Sequence, residues 1–474
     1  MRCLFAGSAQ AASRKAQVLG AAGVHGVQPH GVQCHNRRMP ETSPRSATPW
    51  SITPPMTAER ARQIAADFDL RDLPADFYAN PYPVYDLLRQ TEPVKAMPDG
   101  SWFLTRHADL VAVYRDAHTF SSDKKVEFEP KYGRASGLFE HHTTSLVFSD
   151  PPLHTRVRQL IMGALSRRAI ADMEPALITL VDDLLDRIEA KGGGDLIEDF
   201  ASAIPVEIIG NLLGIPHADR APLRSWSLAI LGALEPVLTP AQEALGNRSV
   251  REFTTYLRTL VAKRRKAPGD PEHDVLTRLI GHEDSGEQLS ESELLQNCVF
   301  ILNAGHETTT NLIGNALVAL QEHPEARSIL LSKTELITHD LRGLEAYLSL
   351  VIDEFLRFEP SNQLGNRRAL KATRLGDIDI EAGGLLTLCI AAANRDPLVF
   401  DHPNRLDFER ASNRHLAFGF GVHQCAGMSL ARLEGRVAVG RFLQRFPGYQ
   451  LTGAPVRGGR ARFRGFLSAP FSTR

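Results

Sequence analysis

The sequence predicts a mainly α-helical fold with small β-sheets. Apolar residues recur at helical spacing through several long segments, and no internal repeat interrupts them. One early segment, residues 94–105, instead reads as strand, turn and strand through Pro98-Asp99-Gly100. The helical segments are residues 152–162, 173–191, 205–213, 241–265 and 343–358.

The composition is that of a globular protein with a large buried core. The chain has 474 residues, is 43% hydrophobic, and carries 54 basic against 55 acidic side chains. This balance argues against nucleic-acid binding, which depends on a strong basic excess. No apolar run approaches the roughly 20 residues of a membrane helix, and the five scattered cysteines fit a reducing compartment. We therefore expect a cytoplasmic protein without a membrane anchor.

The first 40 residues differ from the rest, because they contain five Lys or Arg and no Asp or Glu. An organelle transit peptide has this basic, acid-free composition. A disordered tail or a mis-assigned start has it too, and the lack of a clear amphipathic repeat favours that second interpretation. We expect residues 1–55 to be such a tail and residues 56–474 to form one catalytic domain.

The longest predicted helix follows a polar linker at 281–287 and opens with Ser290-Glu291-Ser292-Glu293, a capping box. It should end near Glu322, before His323-Pro324. Its middle, residues 304–311, contains Gly305 and three consecutive threonines, which are poor helix formers. Such a conflict is typical of functional sites, although a helix kinked for packing would also produce it. A zinc-protease helix is excluded, since position 310 is Thr where a second His is required.

A glycine-rich loop at 418–427 places Cys425 just before a helical segment, where the helix dipole lowers a thiol pKa. The residues allow a nucleophilic cysteine, a zinc ligand together with His423, or an axial thiolate on haem iron. Zinc lacks a second ligand pair at suitable spacing. An isolated cysteine of this kind is most often a buried structural thiol.

Taken together, these motifs resemble the cytochrome P450 family, in the family's order. The haem loop Phe-x-x-Gly-x-His/Arg-x-Cys-x-Gly is matched at 418–427, the oxygen-activation motif Ala-Gly-x-Glu/Asp-Thr-Thr at 304–309, and Glu-x-x-Arg at 354–357. Three further segments resemble the bacterial members: residues 150–158, 393–397 and 415–418. Two positions depart from the family's motifs. Glu381 stands where Ile-Pro-Ala-Gly has proline, and Leu406 stands where Pro-x-Arg-Phe has phenylalanine; both departures are minor. The resemblance implies the P450 fold, with haem between a long distal helix and a proximal Cys loop.

The resemblance implies haem b as cofactor, dioxygen as co-substrate, and Cys425 as the iron ligand, shielded by Phe418. Glu307 and Thr308 are the expected proton-delivery pair. Glu354 and Arg357 are expected to form a structural ion network with Arg405. The expected partners of the haem propionates are His154, Arg158, Arg367 and His415.

The implied function is a monooxygenase that inserts one atom of dioxygen into a small apolar substrate by hydroxylation or epoxidation. A peroxygenase or a haem sensor of the same fold would not need the Glu307–Thr308 pair. No reductase sequence is present, so electrons should come from a ferredoxin or flavodoxin with its NAD(P)H reductase. Arg432 or Arg436 could dock that partner, or could simply be solvated. We expect a monomer.

The substrate class stays open between terpenoid, fatty acid, aromatic acid and polyketide. Asn303 and Gln363 could orient an oxygenated substrate or bond to each other. Near the C-terminus, Arg460, Arg462 and Arg464 alternate as on a strand with one solvated face, which we prefer to an RNA-binding tract. The expected pocket residues are Phe300, Asn303, Ala304, Gln363 and Phe463.

Overall fold

The computed structural model describes residues 57–271, 274–281, 289–336 and 341–474. The predicted tail at 1–55 lies outside these residues, as does nearly all of the predicted linker at 281–287. Among the described residues, no helix combines the length and apolar character needed to cross a membrane.

Helices make up most of the fold, and the predicted helical segments are confirmed with small shifts at their ends. The helices are α1 (Ala58–Asp67), α2 (Ala75–Ala79), α3 (Tyr82–Thr91), α4 (His107–Arg115), α5 (Lys125–Tyr132), α6 (Gly137–Thr144), α7 (Leu153–Ala164), α8 (Arg167–Lys191), α9 (Ala203–Leu212), α10 (Leu223–Gly232), α11 (Pro240–Lys266), α12 (Val275–Gly281), α13 (Glu291–Glu322), α14 (Pro324–Leu336), α15 (Leu341–Phe358), α16 (Ile390–Ala393) and α17 (Met428–Arg445).

Small sheets accompany the helices, as predicted, and the described residues form four of them. The strands are β1 (Val94–Ala96), β2 (Trp102–Leu104), β3 (Phe120–Ser121), β4 (Gly193–Asp195), β5 (Leu364–Ala369), β6 (Thr373–Leu375), β7 (Ile378–Ile380), β8 (Leu385–Cys389), β9 (Gln450–Leu451), β10 (Val456–Arg457), β11 (Phe466–Ser468) and β12 (Pro470–Ser472). The largest sheet has the strand order β1-β2-β8-β5-β3, and β1 and β2 are the predicted hairpin around Gly100, whose φ is +79°.

Helix α13 runs through the main core and has the predicted bounds. Its start is fixed by the capping box, in which Ser290 and Glu293 each bond the other's backbone N–H. It ends at His323, because Pro324 has no N–H to continue the ladder. The helix packs against α9, α10 and α17. It therefore carries residues 304–311 into the centre of the molecule.

A buried ion network ties α15 to the segment at 403–413. The Glu354 carboxylate accepts hydrogen bonds from Arg357 at 2.7 and 2.8 Å and from Arg410 at 3.1 Å. Arg405 was expected as the third charged partner, and this expectation is wrong. Its side chain is exposed, and only its carbonyl accepts a bond from Arg357, at 2.9 Å. Arg410 takes the expected place because it lies beside Glu354 with little of its side chain exposed.

Candidate active site

One cavity of 340 Å³ brings the two sequence motifs together. Cys425 lines it from the glycine-rich loop, and Thr308 lines it from α13. Helices α6 and α7, and strand β5, contribute further lining residues. Most of these side chains are apolar. The few polar ones are therefore informative about what the cavity binds.

Backbone geometry shapes the loop that presents Cys425. Gly419 and Gly421 have φ of +66° and +74°, and a Cβ on Gly421 would lie 2.3 Å from the Tyr114 carbonyl oxygen. Only glycine fits there. The resulting turn lets the Cys425 N–H donate to the Phe418 carbonyl at 2.8 Å.

The Cys425 side chain is accessible from the cavity, although protein surrounds it closely. Desolvation raises the pKa of its thiol, and the Gly427 N–H and the charges of Arg158 and Arg432 only partly oppose this. The lowering of this pKa that was expected at the start of a helix is therefore outweighed by burial. A thiolate at this position depends on a bound cation such as iron.

Four basic side chains cluster on the cavity: His154, Arg158, Arg367 and His423 (the imidazole–arginine cluster). The two imidazole rings lie 4.0 Å apart, and Nε2 of each is buried without a hydrogen-bond partner. Desolvation lowers the pKa of His154 to about 4, and the Arg158 charge acts in the same direction. Neither arginine forms an ion pair within the described residues. An anionic group is the natural complement, and the two carboxylates of haem fit this requirement.

Arg367 and the adjacent Arg368 lie in different surroundings. Arg367 lines the cavity, with its guanidinium 5.0 Å from the centre of the Tyr114 ring. Arg368 instead pairs with Glu127 at 3.3 Å. Successive side chains of a strand point to opposite faces, which explains why only one of the two reaches the cavity.

His415 was expected to contact a propionate, but the structure places its ring beside Asp353 and outside the cavity lining. Its Nε2 lies 3.4 Å from Asp353 Oδ1, and its Nδ1 accepts the Ala417 N–H at 3.2 Å. Both ring nitrogens are thus occupied, and His415 does not line the cavity. His423 does. The sequence carried a signal for it, since the haem-loop motif includes a basic residue at that position.

On the distal side, the threonine run does not interrupt α13. Thr308 Oγ1 donates to the Ala304 carbonyl at 2.7 Å, one turn back, and Ser361 Oγ donates to the Thr308 carbonyl at 2.7 Å. A Cβ at Gly305 would lie 2.4 Å from the Ile209 side chain. Gly305 therefore allows α9 to pack closely here, in addition to lining the cavity.

Glu307 points away from the cavity towards Arg460. The two side chains form an ion pair at 2.5 Å, and the second carboxylate oxygen is buried without a partner. Burial raises the pKa of Glu307 to about 7, while Arg460 acts to lower it. A carboxyl group with this pKa exchanges its proton readily at neutral pH.

Four of the expected pocket residues line the cavity: Phe300, Asn303, Ala304 and Phe463. Gln363 does not, because its Nε2 donates to the Pro360 carbonyl at 2.6 Å and its backbone carbonyl accepts from Ile390 N–H. The alternative in which Asn303 and Gln363 bond to each other is therefore wrong.

Asn303 belongs instead to a buried polar chain. Gln296 Oε1 lies 3.2 Å from His141 Nδ1, and Asn303 Nδ2 lies 3.2 Å from His141 Nε2. The Gln296 oxygen only accepts, so His141 carries its proton on Nδ1 and accepts at Nε2. Asn303 Oδ1 is left as a buried acceptor without a partner.

The C-terminal arginines do not lie on a solvated strand face, so that expectation is wrong. Arg464 is buried and pairs with Glu359 at 2.6 Å, and Arg460 pairs with Glu307. Arg462 lines the cavity. The sequence does alternate between arginine and apolar residues here. The alternation does not show, however, that two of the arginines meet acidic side chains and that the third lines the cavity.

Arg432 and Arg436 are both held by acidic side chains. Arg432 binds Asp353 at 2.7 Å and lies 4.9 Å from the Phe418 ring centre, whereas Arg436 binds Glu174 at 2.6 Å. These ion pairs neutralise part of the positive charge that the two arginines present to solvent.

A cysteine on a glycine-rich turn, facing a central helix across an apolar cavity, matches the arrangement of a haem-thiolate enzyme. The family model "Cytochrome P450" matches residues 225–449. Cytochrome P450 107B1 of Saccharopolyspora erythraea is 35% identical over 365 residues, which cover 75% of this chain and 84% of that protein. Vitamin D(3) 25-hydroxylase of Pseudonocardia autotrophica is 35% identical over 77% of this chain and 86% of its own length.

A solved structure shares the fold as well. P450BioI, in complex with an acyl carrier protein ligated to hexadec-9Z-enoic acid, aligns with a TM-score of 0.76 at 30% identity, covering 84% of this chain and 100% of that chain. The chain belongs to the cytochrome P450 family. It is a haem-dependent monooxygenase that uses dioxygen to oxidise a small organic substrate.

Proposed function

We propose that Cys425 is the axial ligand of haem iron and that Glu307 and Thr308 deliver protons to the distal side. The observation that carries this proposal is that Cys425 and Thr308 line the same cavity, beside a cluster of basic groups without acidic partners. When bound, haem supplies the iron centre at which dioxygen is activated. The imidazole–arginine cluster would hold its carboxylates.

The proton route begins at Glu307. Its carboxyl group contacts Arg460, whose side chain is 21% exposed, and so is connected towards solvent. Thr308 lies next along the helix with its hydroxyl bonded to the Ala304 carbonyl. Rotation of that hydroxyl, or a water between the two side chains, would carry a proton from Glu307 to the cavity. The pair therefore supports a monooxygenase over a peroxygenase.

The apolar cavity suits a substrate with a hydrocarbon body. Asn303 Oδ1 would accept a hydrogen bond from a hydroxyl or N–H group of that substrate, since Gln296 and His141 fix its orientation. Leaving this acceptor unpaired costs about 1–3 kcal/mol, which favours ligands that supply a donor.

Electrons come from a separate carrier, for which we propose a ferredoxin or flavodoxin with its NAD(P)H reductase, docking on the side of Cys425. Bacterial relatives support this choice and a cytoplasmic location. Because Arg432 and Arg436 are already paired, their contribution to docking should be small. A monomer is proposed as the working unit.

Replacing Cys425 tests the ligand. In the wild-type protein, the reduced carbon monoxide complex should show the strongly red-shifted Soret band of thiolate ligation. Cys425→Ala should abolish this band. Cys298→Ala, which removes a different buried thiol, is the matched control and should keep it. A band that survives in Cys425→Ala would assign the iron to another residue.

Replacing Thr308 tests proton delivery. Thr308→Ala should leave haem content and substrate binding nearly unchanged but divert reducing equivalents to hydrogen peroxide. Product formed per reduced nicotinamide consumed should fall about tenfold or more, the scale of a lost acid–base group. Thr310→Ala is the control, because Thr310 bonds the His306 carbonyl at 3.0 Å and does not line the cavity. Unchanged coupling in Thr308→Ala would favour the peroxygenase alternative.

A further inference from the structure

Arg462 is a cationic side chain of the cavity that neither the ion networks of the fold nor the imidazole–arginine cluster accounts for. Its Nη1 donates to the Leu364 carbonyl at 2.7 Å, and its Nη2 contacts Asn366 Oδ1. Both acceptors are neutral, and Nε has no hydrogen-bond partner. Within the described part of the chain, Arg462 forms no ion pair. A guanidinium enclosed in this way is costly unless an anion joins it.

The acidic residue that acts on Arg462 is already engaged. Glu235 accepts backbone N–H groups from Ala461 at 2.9 Å, Arg462 at 3.1 Å and Phe463 at 3.3 Å. Its carboxylate therefore holds the segment in place and makes no ion pair with the guanidinium. Arg464, two residues on, shows the contrast, since it binds Glu359 directly.

The surroundings of Arg462 are positive. Burial lowers the pKa of Lys131 to about 8, and the Arg462 charge acts in the same direction. His142 lines the cavity with a buried, unpartnered Nε2, and its pKa is lowered first by burial and then by His141, Lys131 and Arg462. Arg158 and Arg367 act on His154 and His423 of the imidazole–arginine cluster. Arg462 therefore extends the positive lining of the cavity beyond that cluster, towards His142 and Lys131.

From this geometry we infer that the substrate carries a carboxylate, which Arg462 binds through its guanidinium. The inference rests on the monooxygenase function proposed above and names its substrate class. The apolar body of the acid would pack against Phe300, Phe148 and Phe463, which line the same cavity. The planar guanidinium matches a carboxylate with two parallel hydrogen bonds, which a neutral ester cannot reproduce. His142 lies on the same side and adds a further polar contact.

Binding of dodecanoic acid and of its methyl ester tests this inference. Spectral titration of the haem-loaded enzyme at pH 7, where the acid is ionised, should give the acid an affinity at least about tenfold higher than the ester. Arg462→Gln should remove this preference by weakening acid binding about tenfold, with the ester unchanged. Arg374→Gln is the matched control, because it removes the same charge from a side chain that is 61% exposed and lies outside the cavity lining.

Three results would overturn the inference. The first is a wild-type enzyme that binds the ester as tightly as the acid. The second is an Arg462→Gln enzyme that keeps the acid preference. The third is an Arg462→Gln enzyme that loses haem while its ratio of acid to ester affinity stays at the wild-type value, which would assign Arg462 to a haem propionate.

If Arg462→Gln does not fold, the Arg462→Lys variant tests the inference instead. It keeps the charge but loses the planar fork, so acid binding should weaken severalfold with ester binding constant. An equal change for both ligands would overturn the inference. The reduced carbon monoxide spectrum, measured on the same samples, reports the Cys425 ligation separately. A wild-type enzyme with a normal spectrum but no acid preference would refute the role of Arg462 and leave the proposed function standing.

Discussion

Two buried groups of ionisable side chains differ in how completely their hydrogen-bonding atoms find partners within the protein. Around Glu354, each carboxylate oxygen accepts from arginine side chains, and Arg357 also donates to the carbonyls of Pro403 and Arg405. Around the cavity, His154, His423 and Arg462 each keep a buried nitrogen without a partner. The first group is complete within the protein, and the second is not.

This difference distinguishes residues that stabilise the fold from residues that bind a ligand. A buried charge costs several kcal/mol unless hydrogen bonds and counter-charges compensate it. Where the protein supplies them all, as at Glu354, the residues stabilise the fold. Where it supplies only some, as at the cavity, a ligand must supply the rest. The charge pattern of the sequence alone does not reveal which of the two cases applies.

The largest effect on stability is expected in the ion network around Glu354. Arg357→Ala should lower the free energy of unfolding by about 3–5 kcal/mol, because it leaves Glu354 buried without its main partner. The control is Arg405→Ala, since the exposed Arg405 contributes only a carbonyl that alanine retains. That variant should change stability by less than about 0.5 kcal/mol. Urea unfolding measures both. Equal losses would mean that Arg405 is a true member of the network.

A smaller effect, on haem binding, is expected at the imidazole–arginine cluster. His423→Ala should weaken haem binding about tenfold, because it removes one hydrogen-bond donor to a carboxylate without leaving a buried charge. His415→Ala serves as the control: its ring is bonded to Asp353 and lies outside the cavity lining. Haem transfer to apomyoglobin measures the loss rate for each protein. Faster loss from His415→Ala than from His423→Ala would restore the original expectation for His415.

The sequence predicted the helices, the small sheets and the family because these follow from periodicity and contiguous motifs. The capping box at Ser290 and the stop at Pro324 are local signals, and both proved correct. The errors involve partners distant in sequence. Arg410 replaced Arg405 in the ion network, and His423 replaced His415 at the cavity. In each case two chemically equivalent residues lay close together, and tertiary packing chose between them.

The C-terminal arginines show the same limit more strongly. Alternation predicted one solvated face, but Arg460 and Arg464 meet Glu307 and Glu359, which are 153 and 105 residues away in sequence. Only the folded chain brings these acids to them. Within the described residues no acidic side chain pairs with Arg462, so its charge remains available to a ligand.

A pH-dependent effect is expected at Glu307, which stands between the two cases with one oxygen paired and one free. Burial raises its pKa to about 7 in the folded protein, whereas glutamate in an unfolded chain has a pKa of about 4.3. Between these values the folded state holds a proton that the unfolded state has released. The free energy of unfolding must therefore fall as pH rises through this window, by ~1 kcal/mol per pH unit.

Glu307→Gln removes this titration while keeping an oxygen that accepts from Arg460. Its melting temperature should therefore fall less than that of the wild type between pH 5 and pH 7, by roughly 1 °C for each ~1 kcal/mol, because the unfolding entropy of a domain this large is about 0.9 kcal/mol/K. Glu291→Gln, on the same helix but 62% exposed, is the control and should follow the wild-type curve. If Glu307→Gln also follows that curve, Glu307 is ionised throughout this range. It would then reach Thr308 only as a carboxylate and could not hold the proton that the relay requires.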